Sequence, residues 1–151
     1  MPFPSRDEYE RLLYTLPQRY PGIVSSTVHL YTTSRSTAIV RGSVHFRSGL
    51  ELRIHEIVDF VAGCISDYSY TVLRGEERIR WYDPQPHPDN PDLAETFPHH
   101  FHAPPNIKRN RKPAAGISFT EPNLLTLIAD CVALGTGLAG EPPAEGDQGP
   151  S

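Results

Sequence analysis

The stretch "LELRIHEIVDF", residues 50–60, alternates apolar and polar side chains from its first residue. Successive side chains of a β-strand point to opposite faces of a sheet, so Leu50, Leu52 and Ile54 share one face. This pattern predicts a strand with one buried side. Glu56 falls on the same side, and a buried carboxylate needs a partner. Either it supports a functional site by orienting a histidine or arginine, or a bulge turns it toward water.

Four more β-rich runs surround this strand, at residues 23–31, 37–46, 64–73 and 78–83. The links between consecutive runs are short and turn-like, such as "RSG" and "VAG". Short links favour sequential antiparallel hairpins, because parallel strands need long crossover connections. We therefore expect an antiparallel β-meander of about five strands.

Two helices are predicted, one near each end of the chain. Ser5 and Glu8 have the spacing of a capping box, which predicts a helix over residues 6–16. A second helix is expected to start with Thr120 as its N-cap and to end near Gly135 and Gly137. Its apolar residues recur at helical spacing, which predicts that both helices pack on one face of the sheet in an α+β fold.

Length and composition indicate one soluble domain. The chain has 151 residues, of which 38% are hydrophobic, and we expect a single domain over residues 1–140. The acidic Pro/Gly-rich tail, residues 141–151, is expected to be disordered, and it carries most of the net charge of -4. No apolar run reaches the roughly 18–20 residues that cross a membrane, and no signal peptide is visible, so the cytoplasm is expected.

Residues 83–119 form a long, proline-rich segment without a clear period, and four of the chain's seven histidines lie in it. Long irregular segments in compact domains are usually functional. Because histidine both accepts and donates protons near neutral pH, solvent-facing imidazoles here could cleave RNA without a metal or other cofactor. The candidate catalytic histidines are His87, His99, His100 and His102.

Aromatic and basic residues near this segment are candidates for binding RNA. Tyrosines at i and i+2 of one strand share a face and can stack on bases, and arginine or lysine can pair with phosphate. The candidate residues are Tyr68, Tyr70, Arg78, Arg80, Lys108, Arg109, Arg111 and Lys112.

Two other interpretations of the histidine segment remain open. Imidazole nitrogen and carboxylate oxygen are ligands of zinc and related ions, so Asp83, Asp89 or Asp92 could complete a metal-dependent nuclease site, although the spacing matches no known ligand signature. Alternatively, the segment wraps the sheet and its histidines only fill space, in a structural or non-catalytic RNA- or protein-binding module.

Several motifs together resemble the TumE-type toxin family of prokaryotic toxin-antitoxin systems. They are the Tyr-Ser-Tyr strand at residues 68–70, the turn "WYDPQPH" at residues 81–87 and the loop "TFPHHFH" at residues 96–102. Trp81 stands where the family pattern has arginine. Tyr82 and Asp83, which lie in the turn at residues 81–87, are further candidate catalytic residues. The resemblance implies a cytoplasmic toxin that arrests growth by inhibiting translation, and a cognate antitoxin with a helix-turn-helix domain.

Overall fold

The computed structural model describes residues 2–136 and confirms an α+β fold with a mostly antiparallel sheet. Eight strands form one sheet in the order β1-β3-β4-β5-β6-β7-β8, and β2 also pairs with β3. The strands are β1 (Ile23–Ser26), β2 (His29–Thr32), β3 (Thr37–Phe46), β4 (Leu50–Asp59), β5 (Cys64–Arg74), β6 (Glu77–Asp83), β7 (His100–His102) and β8 (Arg111–Pro113). The helices are α1 (Arg6–Tyr14), α2 (Leu16–Arg19) and α3 (Leu124–Thr136), and a 3-10 helix covers Pro91–Thr96.

The predicted meander forms the middle of the sheet. Strands β3, β4, β5 and β6 pair antiparallel in sequential order. The alternation in β4 is present as predicted, because Leu50, Leu52 and Ile54 are all buried while Arg53 and His55 are exposed. The opening stretch of sequence therefore lies at the centre of the sheet with one face against the core.

The prediction of about five strands is wrong, partly because residues 23–31 form two strands. Both β1 and β2 pair with β3, and the chain between them passes close to Gly42. Gly42 has a φ of +145°, and a Cβ there would lie 2.4 Å from the carbonyl oxygen of Thr27. Only glycine accommodates this approach. This close approach of Thr27 to Gly42 interrupts the single strand that was predicted for residues 23–31.

The remaining two strands come from the segment predicted to be irregular. Strand β7 extends the meander by pairing with the end of β6, and β8 pairs with β7 at the sheet edge. Each has three residues, which is too short for a period to be visible in the sequence. Strand β7 forms because the end of β6 offers it unpaired backbone groups, and β7 in turn offers its free edge to β8.

The capping box and the start of the first helix are confirmed, but the end of this helix and the start of the second predicted helix differ from the prediction. The Ser5 hydroxyl accepts a hydrogen bond from the Glu8 N–H at 3.2 Å, and Glu8 accepts one from the Ser5 N–H at 2.9 Å. Helix α1 ends before Thr15, and α2 follows with Pro17 in its first turn, where its missing N–H costs nothing. Helix α3 starts at Leu124, after Pro122, and continues through Gly135 to Thr136.

Helices α1 and α3 contact the same face of the sheet. Tyr9 of α1 and Leu127 of α3 are fully buried in one hydrophobic core with Leu52 and Tyr70 of the central strands. Within residues 2–136, none of the helices has the length and apolar character that crossing a membrane requires. The disorder predicted for residues 141–151 concerns a part of the chain outside the described residues.

Candidate functional site

Three side chains converge where β6 pairs with β7. His100 and His102 lie two residues apart on β7 and share a face, and Asp83 of β6 is directly opposite His100. Nε2 of His100 lies 3.3 Å from Oδ1 of Asp83, and Nε2 of His102 lies 3.1 Å from Oδ2. The two Nε2 atoms are 3.2 Å apart. We call Asp83, His100 and His102 the aspartate-histidine cluster.

Backbone groups and an indole ring hold the cluster in place. Nδ1 of His100 donates a hydrogen bond to the carbonyl oxygen of Pro98 at 3.1 Å, and Oδ1 of Asp83 accepts one from the Gln85 N–H at 2.8 Å. The ring of Trp81 stacks on His102 with 4.6 Å between centroids. Because a carbonyl only accepts, a neutral His100 carries its proton on Nδ1 and directs the lone pair of Nε2 into the cluster.

The cluster is mostly shielded from water. The side chains of His100, His102 and Asp83 are 1%, 5% and 13% exposed. Burial lowers the pKa of His100, while the hydrogen bond to Pro98 and the nearby Asp83 carboxylate act in the opposite direction. The expectation that these loop imidazoles face solvent is therefore wrong for His100 and His102. They lie within a short strand and not in an open loop.

His87 lies beside the cluster, edge-on to His100 with 5.0 Å between ring centroids. Its Nε2 is shielded from water and has no hydrogen-bond partner among the described residues. Burial, the Arg111 charge and His100 all lower the pKa of His87. The structure thus brings together three of the four histidines predicted from the sequence.

The fourth histidine, His99, takes part in a separate interaction. Its Nδ1 is hydrogen-bonded to the Tyr68 hydroxyl at 2.6 Å, and its ring packs on Phe119 with 4.6 Å between centroids. His99 is only 9% exposed, so it does not face solvent either. Burial lowers the pKa of His99 and raises that of Tyr68. Both residues therefore favour their neutral forms near pH 7.

An open cleft of about 410 Å³ adjoins the cluster. It forms where the chain leaves β6 and separates from β5, beyond the last pair, Tyr70 and Tyr82. Asp83 is the cluster member that lines the cleft, so the carboxylate connects the buried imidazoles with solvent. The other lining residues are Asp67, Tyr68, Ser69, Trp81, Pro84, Gln85 and Pro86.

The predicted RNA-binding arginines and lysines lie in different places. Arg111 of β8 is paired with His102, and its Nε is shielded without a hydrogen-bond partner in the described part of the chain. The Arg78 guanidinium lies 5.2 Å from the centre of the Trp81 ring. These two cations are therefore close to the cluster. Lys108, Arg109 and Lys112 are exposed on the β7–β8 turn and the edge strand.

Three other predicted residues lie on the helix-covered face. Arg80 packs over Phe101 and lies 3.9 Å from the carboxylate of Asp130 in α3. Tyr82 is buried and donates a hydrogen bond to Asp130 at 2.9 Å. Tyr70 is also fully buried. The structure does not bring Arg80, Tyr82 or Tyr70 to the cleft.

Glu56 has a partner, but neither a histidine nor an arginine. It is fully buried and accepts hydrogen bonds from the hydroxyls of Tyr9 and Tyr70, both at 2.5 Å. Asn123 donates a further bond to the Tyr70 oxygen at 3.0 Å. Burial raises the pKa of Glu56. The register of β4 against β5 shifts only after this residue, between Ile57 and Val58, and the extra residue of that shift, Ser66, belongs to β5.

Some residues around the cluster were not singled out from the sequence for their observed roles. Trp81 covers His102. The Pro98 carbonyl orients the His100 ring, and the Gln85 N–H orients the Asp83 carboxylate. Trp81 has the same strand parity as Asp83, and that signal could have placed it beside the site. Backbone contacts of Pro98 and Gln85 leave no comparable signal in the residue types.

Comparison with protein families gives a match over most of the chain. A protein-family model described as Toxin TumE matches residues 11–134, a range that includes the cluster, the cleft and the whole sheet. Neither the comparison with curated proteins nor that with solved structures gives a match.

Proposed function

The chain belongs to the TumE toxin family, as its motifs implied, and we propose that it is a toxin that cleaves RNA at the cleft beside Asp83. The family supports the toxin role. The cleavage proposal is supported by a separate observation, namely the convergence of Asp83, His100 and His102 next to an open cleft.

Endonucleolytic cleavage of RNA by its own 2'-hydroxyl requires two proton transfers and a compensating charge. One group takes the proton of the 2'-hydroxyl, another protonates the leaving 5'-oxygen, and a cation stabilises the phosphate. In the proposed site Asp83 contacts the substrate, because it is the cluster member that lines the cleft. His100 and His102 act behind the carboxylate, and Arg111 supplies positive charge beside His102.

The burial of His100 and His102 argues against the metal-independent acid-base mechanism expected from the sequence. An imidazole acting alone must come within hydrogen-bond reach of a substrate oxygen, and the side chains of His100 and His102 are only 1% and 5% exposed. In a metal-dependent reaction the imidazoles would not need to reach a substrate oxygen, because a bound ion would contact the substrate instead. The tight convergence of three ligand-type atoms favours this second mechanism.

We further propose that a cognate antitoxin restrains the protein. Toxins of such systems are encoded beside an antitoxin, and the motif resemblance implies one with a helix-turn-helix DNA-binding domain. Arrest through inhibited translation in the cytoplasm would fit an RNA target. Co-expression of the neighbouring open reading frame should restore growth, and failure of that gene to do so would contradict this partner assignment.

Induced expression in a bacterial host tests the proposed activity. The wild-type chain should arrest growth and produce RNA fragments with new 5' ends, whereas Asp83→Asn should do neither at equal protein abundance. His55→Ala is the matched control, because His55 is an exposed histidine on β4, two strands away from β6. Arrest by the wild type without RNA fragments, or full toxicity of Asp83→Asn, would refute cleavage at this site.

A further inference from the structure

The spacing of the cluster matches the coordination shell of a metal ion. Nε2 of His102 lies 3.1 Å from Oδ2 of Asp83, Nε2 of His100 lies 3.3 Å from Oδ1 of the same carboxylate, and the two Nε2 atoms are 3.2 Å apart. Metal–ligand bonds of about 2.05 Å at the tetrahedral angle place neighbouring ligand atoms about 3.3 Å apart. Three side chains from two strands thus present their atoms at the separations that a small divalent ion requires.

Hydrogen bonds alone do not account for these contacts when both imidazoles are neutral. The Pro98 carbonyl fixes the His100 proton on Nδ1, so Nε2 of His100 has only a lone pair. One proton on Nε2 of His102 can bridge to a single neighbour. The contact between Nε2 of His100 and Oδ1 of Asp83 then joins two acceptors, and a cation between them removes that repulsion.

The surroundings of His100 and Asp83 have the form of a metal site, whereas Nδ1 of His102 is buried without a hydrogen-bond partner among the described residues. Metal-binding histidines commonly donate their second N–H to a backbone carbonyl, as His100 does to Pro98. The carboxylate is held by the Gln85 N–H. Because Asp83 reaches the cleft while the rings are buried, an ion held by these side chains would lie beside the cleft.

Ligand chemistry narrows the kind of ion. Two imidazoles and one carboxylate form the set that binds first-row transition ions, including Zn²⁺, Fe²⁺ and Mn²⁺. Mg²⁺ and Ca²⁺ prefer shells made of oxygen. We infer that Asp83, His100 and His102 bind one divalent first-row transition-metal ion at the cleft. Binding is independent of the proposed RNA cleavage, and a catalytic role for the ion rests on that proposed function.

Cobalt binding to the full chain tests the site. Protein without a histidine tag is treated with EDTA, dialysed and titrated with Co²⁺, while the visible absorption of the coordinated ion is recorded. One equivalent should bind to the wild type and to His55→Ala. Asp83→Asn and His100→Gln should weaken binding by at least about 100-fold. Isothermal titration with Zn²⁺ and Mg²⁺ should show binding of Zn²⁺ alone.

Thermal melting separates lost ligands from lost structure. Zn²⁺ should raise the Tm of the wild type by several degrees and leave the Tm of Asp83→Asn unchanged, while both ion-free proteins unfold cooperatively. Asp83→Asn is suitable because it retains the size of the side chain. Binding that is absent from the wild type, or equal in the wild type and both variants, would overturn the inference.

An RNA assay on the same samples distinguishes this inference from the proposed function. Cleavage should disappear in EDTA and return with Zn²⁺, Mn²⁺ or Co²⁺. Stoichiometric binding without cleavage under any of these conditions would support the metal site and refute the ribonuclease. Full cleavage by the ion-free protein would support the ribonuclease and refute a catalytic role for the ion.

Discussion

Replacing Glu56 by alanine should destabilise the protein strongly, although Glu56 is not in the cluster. Its carboxyl accepts the hydroxyls of Tyr9 and Tyr70, and all three side chains are buried. Glu56→Ala leaves two buried hydroxyls without this acceptor, at about 1–3 kcal/mol each. The expected loss is about 2–6 kcal/mol, which lowers the Tm of a chain of this size by roughly 5–20 °C.

Glu56→Gln is the matched comparison for this prediction. Its amide oxygen accepts one tyrosine hydroxyl and its N–H donates to the other phenol oxygen, so it should lose less than half as much stability as Glu56→Ala. The free energy of unfolding is measured by urea titration at pH 7 for both variants. A loss below about 1 kcal/mol for Glu56→Ala would refute the view that this network stabilises the fold.

The pH dependence of the same variants tests the protonation of Glu56. Because burial raises its pKa in the folded state, the folded protein binds a proton that the unfolded chain releases at about pH 4.3. Stability from this group is present below that pH and is lost as the pH rises through the folded pKa. The free energy of unfolding of the wild type minus that of Glu56→Gln should therefore fall with rising pH. A rise would contradict the raised pKa of Glu56.

Three further predictions address the backbone, the substrate and His99. Gly42→Ala should cost at least about 2 kcal/mol in urea unfolding and more than Gly49→Ala, since a Cβ at Gly42 meets the Thr27 carbonyl while one at Gly49 has no atom within 4 Å. In an Asp83→Asn background that leaves RNA intact, Arg111→Gln should reduce the salt dependence of RNA binding by about 0.7 in log-log slope, whereas Arg11→Gln on α1 should not; equal slopes would assign Arg111 no phosphate contact. Tyr68→Phe should cost about 1–2 kcal/mol through the bond to His99 yet leave Co²⁺ affinity unchanged, and a weaker affinity would couple His99 to the cluster.

The sequence predicted the parts of the fold that rest on local patterns. Alternation from Leu50 to Ile54 identified the central strand, and the Ser5 capping box located the start of α1. The same parity put Glu56 on the buried side of the strand, and the structure decides for burial over the alternative of a bulge that turns it toward water. Its partner could not be predicted, because Tyr9 and Tyr70 come from a helix and another strand, and their approach depends on how α1 packs on the sheet.

The histidine cluster was predicted only as a group of residues, and its arrangement was not. "HFH" places two imidazoles on one face if the chain is extended, but the neighbouring prolines favoured an irregular loop. Strand β7 is extended because it pairs with β6. That pairing is a tertiary contact between residues about 20 positions apart, and no local period records it.

The pairing register of β6 and β7 determines both how Phe101 packs in the core and how the cluster is arranged. With Tyr82 opposite Phe101, the two rings pack on the helix-covered face with 5.5 Å between centroids, while His100 and Asp83 meet on the other face. A slip of one residue would turn Phe101 to the outer face and both histidines toward the core. The packing of Phe101 therefore stabilises the alignment that the cluster needs. The site does not require an ion to select its register, so the ion-free chain should already present Asp83, His100 and His102 together.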